Sequence, residues 1–229
     1  MRTFGVMCVL IAGSLAQAAA DGLVGHWDFN EGQGRVAQDK SGFGHHGRIE
    51  GATYADSPLG HALRFDGVDD FVDCAKHRRL AIESGGTVML WYRLDTPQGG
   101  LVNWSTGDAW TDERLVVAFN TYSGGDLMIA VFADGEGNQM HALPPPPLDT
   151  WTHFALTFDG VSIKIYQDGV PIIVTSQNMR PKLKDVPFWI GKCQGLGKAS
   201  VKGLLDEVRV YSHALPPVEV LTRYKEHAE

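Results

Sequence analysis

The fold of this chain is decided by the stretch Trp151-Thr152-His153-Phe154-Ala155-Leu156-Thr157-Phe158-Asp159-Gly160. Its side chains fall on two alternating faces, as in a β-strand. Asp159-Gly160 ends this strand, and Asp168-Gly169 follows a second alternating segment, 161–167. An Asp-Gly pair between alternating segments is a strong hairpin signal. We therefore predict a three-stranded antiparallel meander over 151–175.

The rest of the chain repeats this strand-and-turn pattern. Residues 87–92 indicate a buried strand, and 115–120 with 127–132 indicate a hairpin around Ser123-Gly124-Gly125. Helical spacing occurs only in the tail, 216–227. The predicted fold class is therefore all-β, a two-sheet antiparallel β-sandwich with a short C-terminal helix.

The first twenty residues have the features of a signal peptide. Arg2 precedes an apolar segment, 4–16, and small residues then offer A-x-A cleavage sites within 16–20. No later apolar run is long enough to span a bilayer. We predict a cleaved segment, 1–20, and one exported, non-membrane-spanning domain, 21–229, in the periplasm or the extracellular space.

Charge and cysteine content limit the partners and the covalent chemistry. The formal net charge is −7 and there is no basic stripe, which argues against a nucleic-acid partner. Cleavage removes Cys8 and leaves Cys74 and Cys193, which either form a disulfide, as an oxidising compartment favours, or remain buried free thiols. The oligomeric state does not follow from the sequence.

Motifs along the whole of 21–229 resemble one known family. The opening segment, 23–32, and the glycine loop, 39–47, are followed by Phe65-Asp66-Gly67-Val68-Asp69-Asp70-Phe71-Val72, by the meander, and by 205–215, which begins Leu205-Asp206-Glu207-Val208-Arg209-Val210-Tyr211. In this order they resemble the laminin-G-like members of the concanavalin A-like lectin/glucanase superfamily. The resemblance implies a jelly roll with one concave and one convex sheet.

The resemblance also implies a calcium site. Relatives often bind one Ca²⁺ against the convex sheet, which here would bring together Asp28, Asp39 and Asp206. Carboxylate and carbonyl oxygens are the ligands that Ca²⁺ prefers. The alternative is that these carboxylates form hydrogen bonds at turns and strand edges.

The carboxylate pattern argues against an enzyme. Glucanases of the superfamily carry Glu-x-Asp-x-Glu on one strand face, which this chain lacks. Asp206 and Glu207 are adjacent, so we expect them to face opposite sides of a regular strand. Nor is there a Gly-x-Ser-x-Gly nucleophile motif. We therefore predict a non-catalytic protein.

The candidate ligand residues lie in polar, glycine-containing stretches. Aromatic rings stack on the apolar faces of sugars while amides and carboxylates bind hydroxyl groups. On this ground we select Asn103, Trp104, Trp110, Tyr122 and His141, although packing beneath a long loop would also explain the two tryptophans.

Three functions follow from these observations. The first is an exported recognition domain for carbohydrate with a structural calcium ion. The second is a protein–protein or matrix adhesion module, which would use an exposed apolar patch. The third, least supported, is a glycoside-active enzyme.

Overall fold

The computed structural model describes residues 21–107, 113–119, 127–131, 147–176, 180–193 and 199–228. Within these ranges the chain forms two antiparallel sheets packed face to face, and most of the large apolar side chains are buried between them. The expected two-sheet β-sandwich is confirmed.

The first sheet, sheet A, contains eight strands in the order β13-β12-β11-β7-β17-β5-β4, with β1 paired to β17. Their bounds are β1 Leu23–Trp27, β4 Thr53–Ser57, β5 Gly60–Asp66, β7 Gly86–Leu94, β11 Thr152–Phe158, β12 Ile163–Gln167, β13 Val170–Thr175 and β17 Lys202–Tyr211. The predicted meander is β11-β12-β13, joined in register through Phe158↔Ile163 and Gln167↔Val170.

The second sheet, sheet B, has the order β10-β9-β8-β14-β6-β3-β2, with β15 and β16 attached beside β8. The bounds are β2 Val36–Ala37, β3 Gly47–Glu50, β6 Phe71–Asp73, β8 Gly99–Ser105, β9 Glu113–Phe119, β10 Leu127–Val131, β14 Phe188–Ile190, β15 Lys192–Cys193 and β16 Ala199–Ser200. The hairpin predicted near 115–132 is β9-β10.

Two helices complete the described structure: a 3₁₀ turn, Arg78–Leu80, and the C-terminal helix α1, Pro217–Lys225. Helix α1 covers the outer side of sheet A, where Val220 is buried with Met89, Ala155 and Tyr166. The predicted tail helix is thus confirmed. None of the helices in the described ranges has the length and apolar character needed to cross a membrane.

The predicted disulfide is absent: Cys74 and Cys193 are both buried, and neither is disulfide-bonded. Cys74 lies level with Phe188, whose carbonyl accepts its backbone N–H at 3.0 Å. Cys193 lies in β15, beyond the bend at Gly191, which has a left-handed φ of 87° and follows the end of β14. The two cysteines therefore lie on different segments of sheet B, Cys74 directly after β6 and Cys193 in β15.

Candidate functional site

The outward face of sheet B carries a half-exposed tryptophan at its centre. In β14, Phe188 and Ile190 point into the core, so Trp189 between them points out. Trp189 pairs with Asp73 of β6 on one side and with Asn103 of β8 on the other. The strand alternation therefore places an indole ring between a carboxylate and an amide.

A second aromatic ring lies against this tryptophan. The rings of Phe71 and Trp189 meet edge to face, with centroids 6.2 Å apart and planes at 71°. Both rings are half-buried, as is Lys192, whose ammonium nitrogen lies 4.2 Å from the Phe71 centroid and 5.7 Å from that of Trp189. A cation over aromatic rings that are open to solvent on one side contributes about 1 kcal/mol, so a ligand can displace Lys192 from the rings.

Charged side chains continue the same face toward the edge of the sheet. Arg48 of β3 pairs with Asp73, and its guanidinium lies 3.9 Å from the Asp73 carboxylate. The same guanidinium forms an ion pair with Glu50, two residues along β3. One Asp73 oxygen also accepts the Ala75 N–H at 2.9 Å, which holds the carboxylate in place. Donor and acceptor groups thus stand beside the aromatic pair. We call Trp189, Phe71, Lys192, Asp73 and Arg48 the platform.

Trp104, predicted as a ligand-stacking residue, is instead part of the core. Its stretch is not a loop but strand β8, and the alternation turns Trp104 inward. Its ring packs 4.3 Å from that of Phe188, and its indole N–H donates to the Leu80 carbonyl at 3.1 Å. It is fully buried. The prediction that Trp104 stacks on a ligand is therefore wrong.

Asn103 points outward beside Trp189 but is also fully buried, so it does not offer the exposed amide that was predicted. Trp110, Tyr122 and His141 lie outside the described residues, and their role in binding stays a prediction. Trp189 was missed because its strand pattern indicates packing. The available signal was the three-residue apolar run Phe188-Trp189-Ile190, in which strand alternation turns one or two of the three side chains outward.

A buried carboxylate group lies on the opposite sheet. Asp206 of β17 is fully buried, accepts the Ser57 hydroxyl at 2.7 Å and the Glu207 N–H at 2.8 Å, and lies near Asp28. Burial, with the nearby negative charges of Glu207 and Asp28, raises the pKa of Asp206 to about 7. This oxygen-rich group therefore favours a bound proton or a cation.

The side-by-side placement of Asp206 and Glu207 differs from the sequence expectation. A β-bulge interrupts the pairing of β17 with β7, and Glu207 has a left-handed φ of 51°. Because the bulge adds a residue, Glu207 joins Asp206 on the outer side of sheet A, where it binds Arg209 at 2.8 Å and His26 at 2.9 Å. The two carboxylates do not face opposite sides of the sheet.

The environments of these two carboxylates nevertheless differ. Burial by itself raises the pKa of Glu207. Hydrogen bonds and ion pairs with His26 and Arg209 outweigh this effect and bring the pKa down to about 2. Glu207 is committed to those partners. Within the described part of the chain, no cationic side chain forms an ion pair with Asp206, whose hydrogen bonds come from the Ser57 hydroxyl and the Glu207 N–H.

Asp39 does not belong to this group as a ligand, contrary to the predicted set. Its two oxygens accept the N–H groups of His26, Ser41 and His45 and the Ser41 hydroxyl, at 2.7 to 3.0 Å. Burial by itself raises the pKa of Asp39, but these four hydrogen bonds outweigh it and lower the pKa. The carboxylate holds the glycine loop against β1, and its acceptor positions are filled.

Comparison with known proteins identifies the family. A laminin G family model described as the concanavalin A-like lectin/glucanases superfamily matches residues 66–221. No curated protein matches the chain.

Solved structures share the fold at low sequence identity. Domain 4 of an extracellular arabinanase from Geobacillus stearothermophilus, solved with arabinotriose, is 21% identical with a TM-score of 0.67, over 87% of this chain and 97% of that one. The binding domain of botulinum neurotoxin serotype G is 9% identical with a TM-score of 0.70, over 90% and 51%. A Trypanosoma rangeli sialidase is 15% identical with a TM-score of 0.68, over 95% of this chain but only 39% of that enzyme.

Proposed function

Because the chain belongs to the concanavalin A-like lectin/glucanase superfamily, we propose that it is a non-catalytic carbohydrate-binding module whose site is the platform on sheet B. The observation that carries this proposal is the half-exposed Trp189–Phe71 pair beside the Asp73–Arg48 ion pair. Aromatic faces match the C–H faces of sugars, and the charged pair binds hydroxyl groups. The arabinotriose complex of the arabinanase domain adds support by analogy of fold.

The absence of catalysis is part of the proposal. Asp206 and Glu207 share one side of sheet A but are buried, and Glu207 is held by Arg209 and His26. On the platform side, Asp73 and Glu50 share one guanidinium. Glycoside hydrolysis needs a protonated acid and a second carboxylate flanking the bond. We expect no release of reducing sugar from any glycan that binds.

We also propose that the buried carboxylate group holds Ca²⁺. Asp28 and Asp206, with the Ser57 hydroxyl, form a set of hard oxygens of the kind this ion takes. The buried position of Asp206 favours a compensating cation. A bound ion would neutralise Asp206 and tie β17 to the loop after β1. Its role in the module is to stabilise the scaffold, since the platform lies on the other sheet.

Export through residues 1–20 remains part of the proposal as well. Arg2, the apolar segment 4–16 and the small residues at 16–20 support it. A periplasmic or extracellular compartment also supplies the glycans that such a module would meet.

A protein-binding role is the second candidate, favoured by one observation. Strand β13 is at the edge of sheet A, and its apolar residues Val170, Ile172 and Val174 are all well exposed. An exposed apolar stripe on a strand edge suits a protein partner. Pro171 in the same strand lacks an N–H and weakens pairing by strand addition.

A glycan array separates the two candidates. Residues 21–229 are applied with calcium and with chelator, together with Trp189→Ala and a matched variant, Trp151→Ala, which removes a half-exposed tryptophan on sheet A. We expect glycan binding that Trp189→Ala abolishes and Trp151→Ala retains. An array on which the wild-type protein binds nothing would contradict the carbohydrate proposal and favour the protein partner.

A further inference from the structure

Building on the proposed function, we propose that the binding face continues from the platform into a polar cleft at β2, so that the module binds a linear oligosaccharide of three or more units. A single terminal sugar would occupy the platform alone. None of the residues that line the cleft is among those that the sequence patterns indicate for ligand binding.

The strand register connects the two parts. Trp189 is paired with Asp73, Asp73 with Arg48, and Arg48 with Val36 of β2. These four outward residues therefore form one row across β14, β6, β3 and β2. Three strand spacings of about 4.8 Å give the row a length of roughly 14 Å. That length suits several linked sugar rings rather than one.

The cleft begins at Val36, the last residue of this row, which is half exposed. Gln38 and Lys40, which follow the end of β2, also line the cleft, whereas Ala37 and Asp39 between them are buried. The cleft has a volume of about 430 Å³. This is within the range of small-molecule sites.

A carboxylate fixes the floor of the cleft. One Glu31 oxygen accepts the Gln38 backbone N–H at 3.1 Å, and the Lys40 ammonium lies 3.4 Å away. The other oxygen accepts the Tyr54 hydroxyl at 3.4 Å. Glu31 is thus used within the protein and joins the loop before β2 to the start of β4. The cleft is held open by these contacts.

The walls of the cleft offer uncommitted polar groups. Gln33 and Arg35 line it together with Gln38. Among the described residues, none forms a hydrogen bond or ion pair with the side chains of these three. Amide and guanidinium groups form hydrogen bonds with sugar hydroxyls. Val36 is the apolar exception in an otherwise polar lining. A hydroxyl-rich chain fits this cleft better than an apolar ligand.

The test is a chain-length titration. Arabino-, xylo- and cello-oligosaccharides of one to five units are titrated into residues 21–229 by calorimetry. The cleft variant is Gln33→Ala with Gln38→Ala, and the matched control is Gln98→Ala, an exposed residue before β8, four strands from β2. Trp189→Ala reports on the platform.

We expect the affinity to rise about tenfold or more from one unit to three. For oligosaccharides of three or more units, the cleft variant should bind about fivefold or more weakly than the wild type. For one and two units it should bind like the wild type and Gln98→Ala. Length-independent affinity, or a cleft variant that binds every length normally, would overturn this inference while Trp189-dependent binding persists. Failure of every oligosaccharide to bind the wild type would overturn the proposed function and this inference with it.

Discussion

Trp189 lies directly opposite Asp73 in the β14–β6 pair, so an indole ring and a carboxylate stand side by side on the outer face of sheet B. Asp73 is held there by the Ala75 N–H at 2.9 Å and by Arg48 at 3.9 Å. The Asp73 carboxylate is therefore positioned before a ligand arrives, and its own side chain loses little freedom on binding.

Replacing Asp73 separates recognition from stability. Asp73→Ala removes a half-buried acceptor and the partner of Arg48, and we expect glycan affinity to fall about tenfold, since hydrogen bonds to charged groups contribute roughly 1.5–3 kcal/mol. The free energy of unfolding should change by under about 1 kcal/mol, as for an exposed ion pair. Titration calorimetry and urea unfolding measure the two quantities. Unchanged affinity would remove Asp73 from the site.

The raised pKa of Asp206 makes stability depend on pH and on calcium. The pKa of Asp206 in the folded protein, about 7, is above the ordinary value of 3.8. The protonated carboxyl therefore makes its full contribution to the free energy of unfolding below about pH 4, and this contribution is lost as pH rises through 7. In chelator, Asp206→Asn should therefore be more stable than the wild type at pH 8, by roughly 4 kcal/mol at most. Near pH 4 the two proteins should be similar.

Calcium at pH 8 should reverse that order, because it binds the deprotonated carboxylate and stabilises the wild type by mass action. The melting temperature of the wild type should rise on adding calcium, and that of Asp206→Asn should not. A wild-type melting temperature that calcium leaves unchanged at pH 8 would contradict the calcium proposal.

Arg209 attaches helix α1 to sheet A. Its guanidinium binds Glu207 and Glu226, each at 2.8 Å, and Glu207 is buried. Arg209→Gln leaves that carboxylate with a missing partner, and we expect a loss of about 3–5 kcal/mol in urea unfolding. The matched control is Arg223→Gln, which removes a more exposed partner of Glu226 and should cost under about 1 kcal/mol. Equal effects would show that Arg209 does not act as a buried partner.

The thiols give a direct check on the register of sheet B. Both are buried and neither is disulfide-bonded, and burial raises the pKa of the Cys74 thiol well above its ordinary value. Residues 21–229, purified without reductant, should not react with a thiol reagent when folded and should show two reactive thiols in denaturant. Zero reactive thiols in denaturant would indicate a disulfide between Cys74 and Cys193, which this structure does not contain.

The sequence predicts the architecture better than the site. Asp159-Gly160 and Asp168-Gly169 specify local hairpins, so the meander could be placed from nearby residues alone. The direction of Trp104 depends on whether 99–105 is a strand or a loop, and the pairing of β8 with β14 and β9 decides that.

The bulge after Asp206 is also a property of the assembled sheet. It arises where β17 loses register with β7, and no local motif marks it. Strand alternation therefore gave the wrong sides for Asp206 and Glu207. The row from Trp189 to Val36 likewise joins four strands that are distant in sequence, so only the pairing order reveals it.

If the platform is the binding site, Trp189 contacts the glycan, and indole N–H resonances in a two-dimensional NMR titration report that contact directly. The chain has six tryptophans, and Trp189→Phe assigns the relevant signal by its disappearance. With an oligosaccharide that binds on the array, the Trp189 indole signal should shift with saturation, while those of the buried Trp27 and Trp104 stay in place. Saturable binding that leaves the Trp189 signal unmoved would contradict the platform as the binding site.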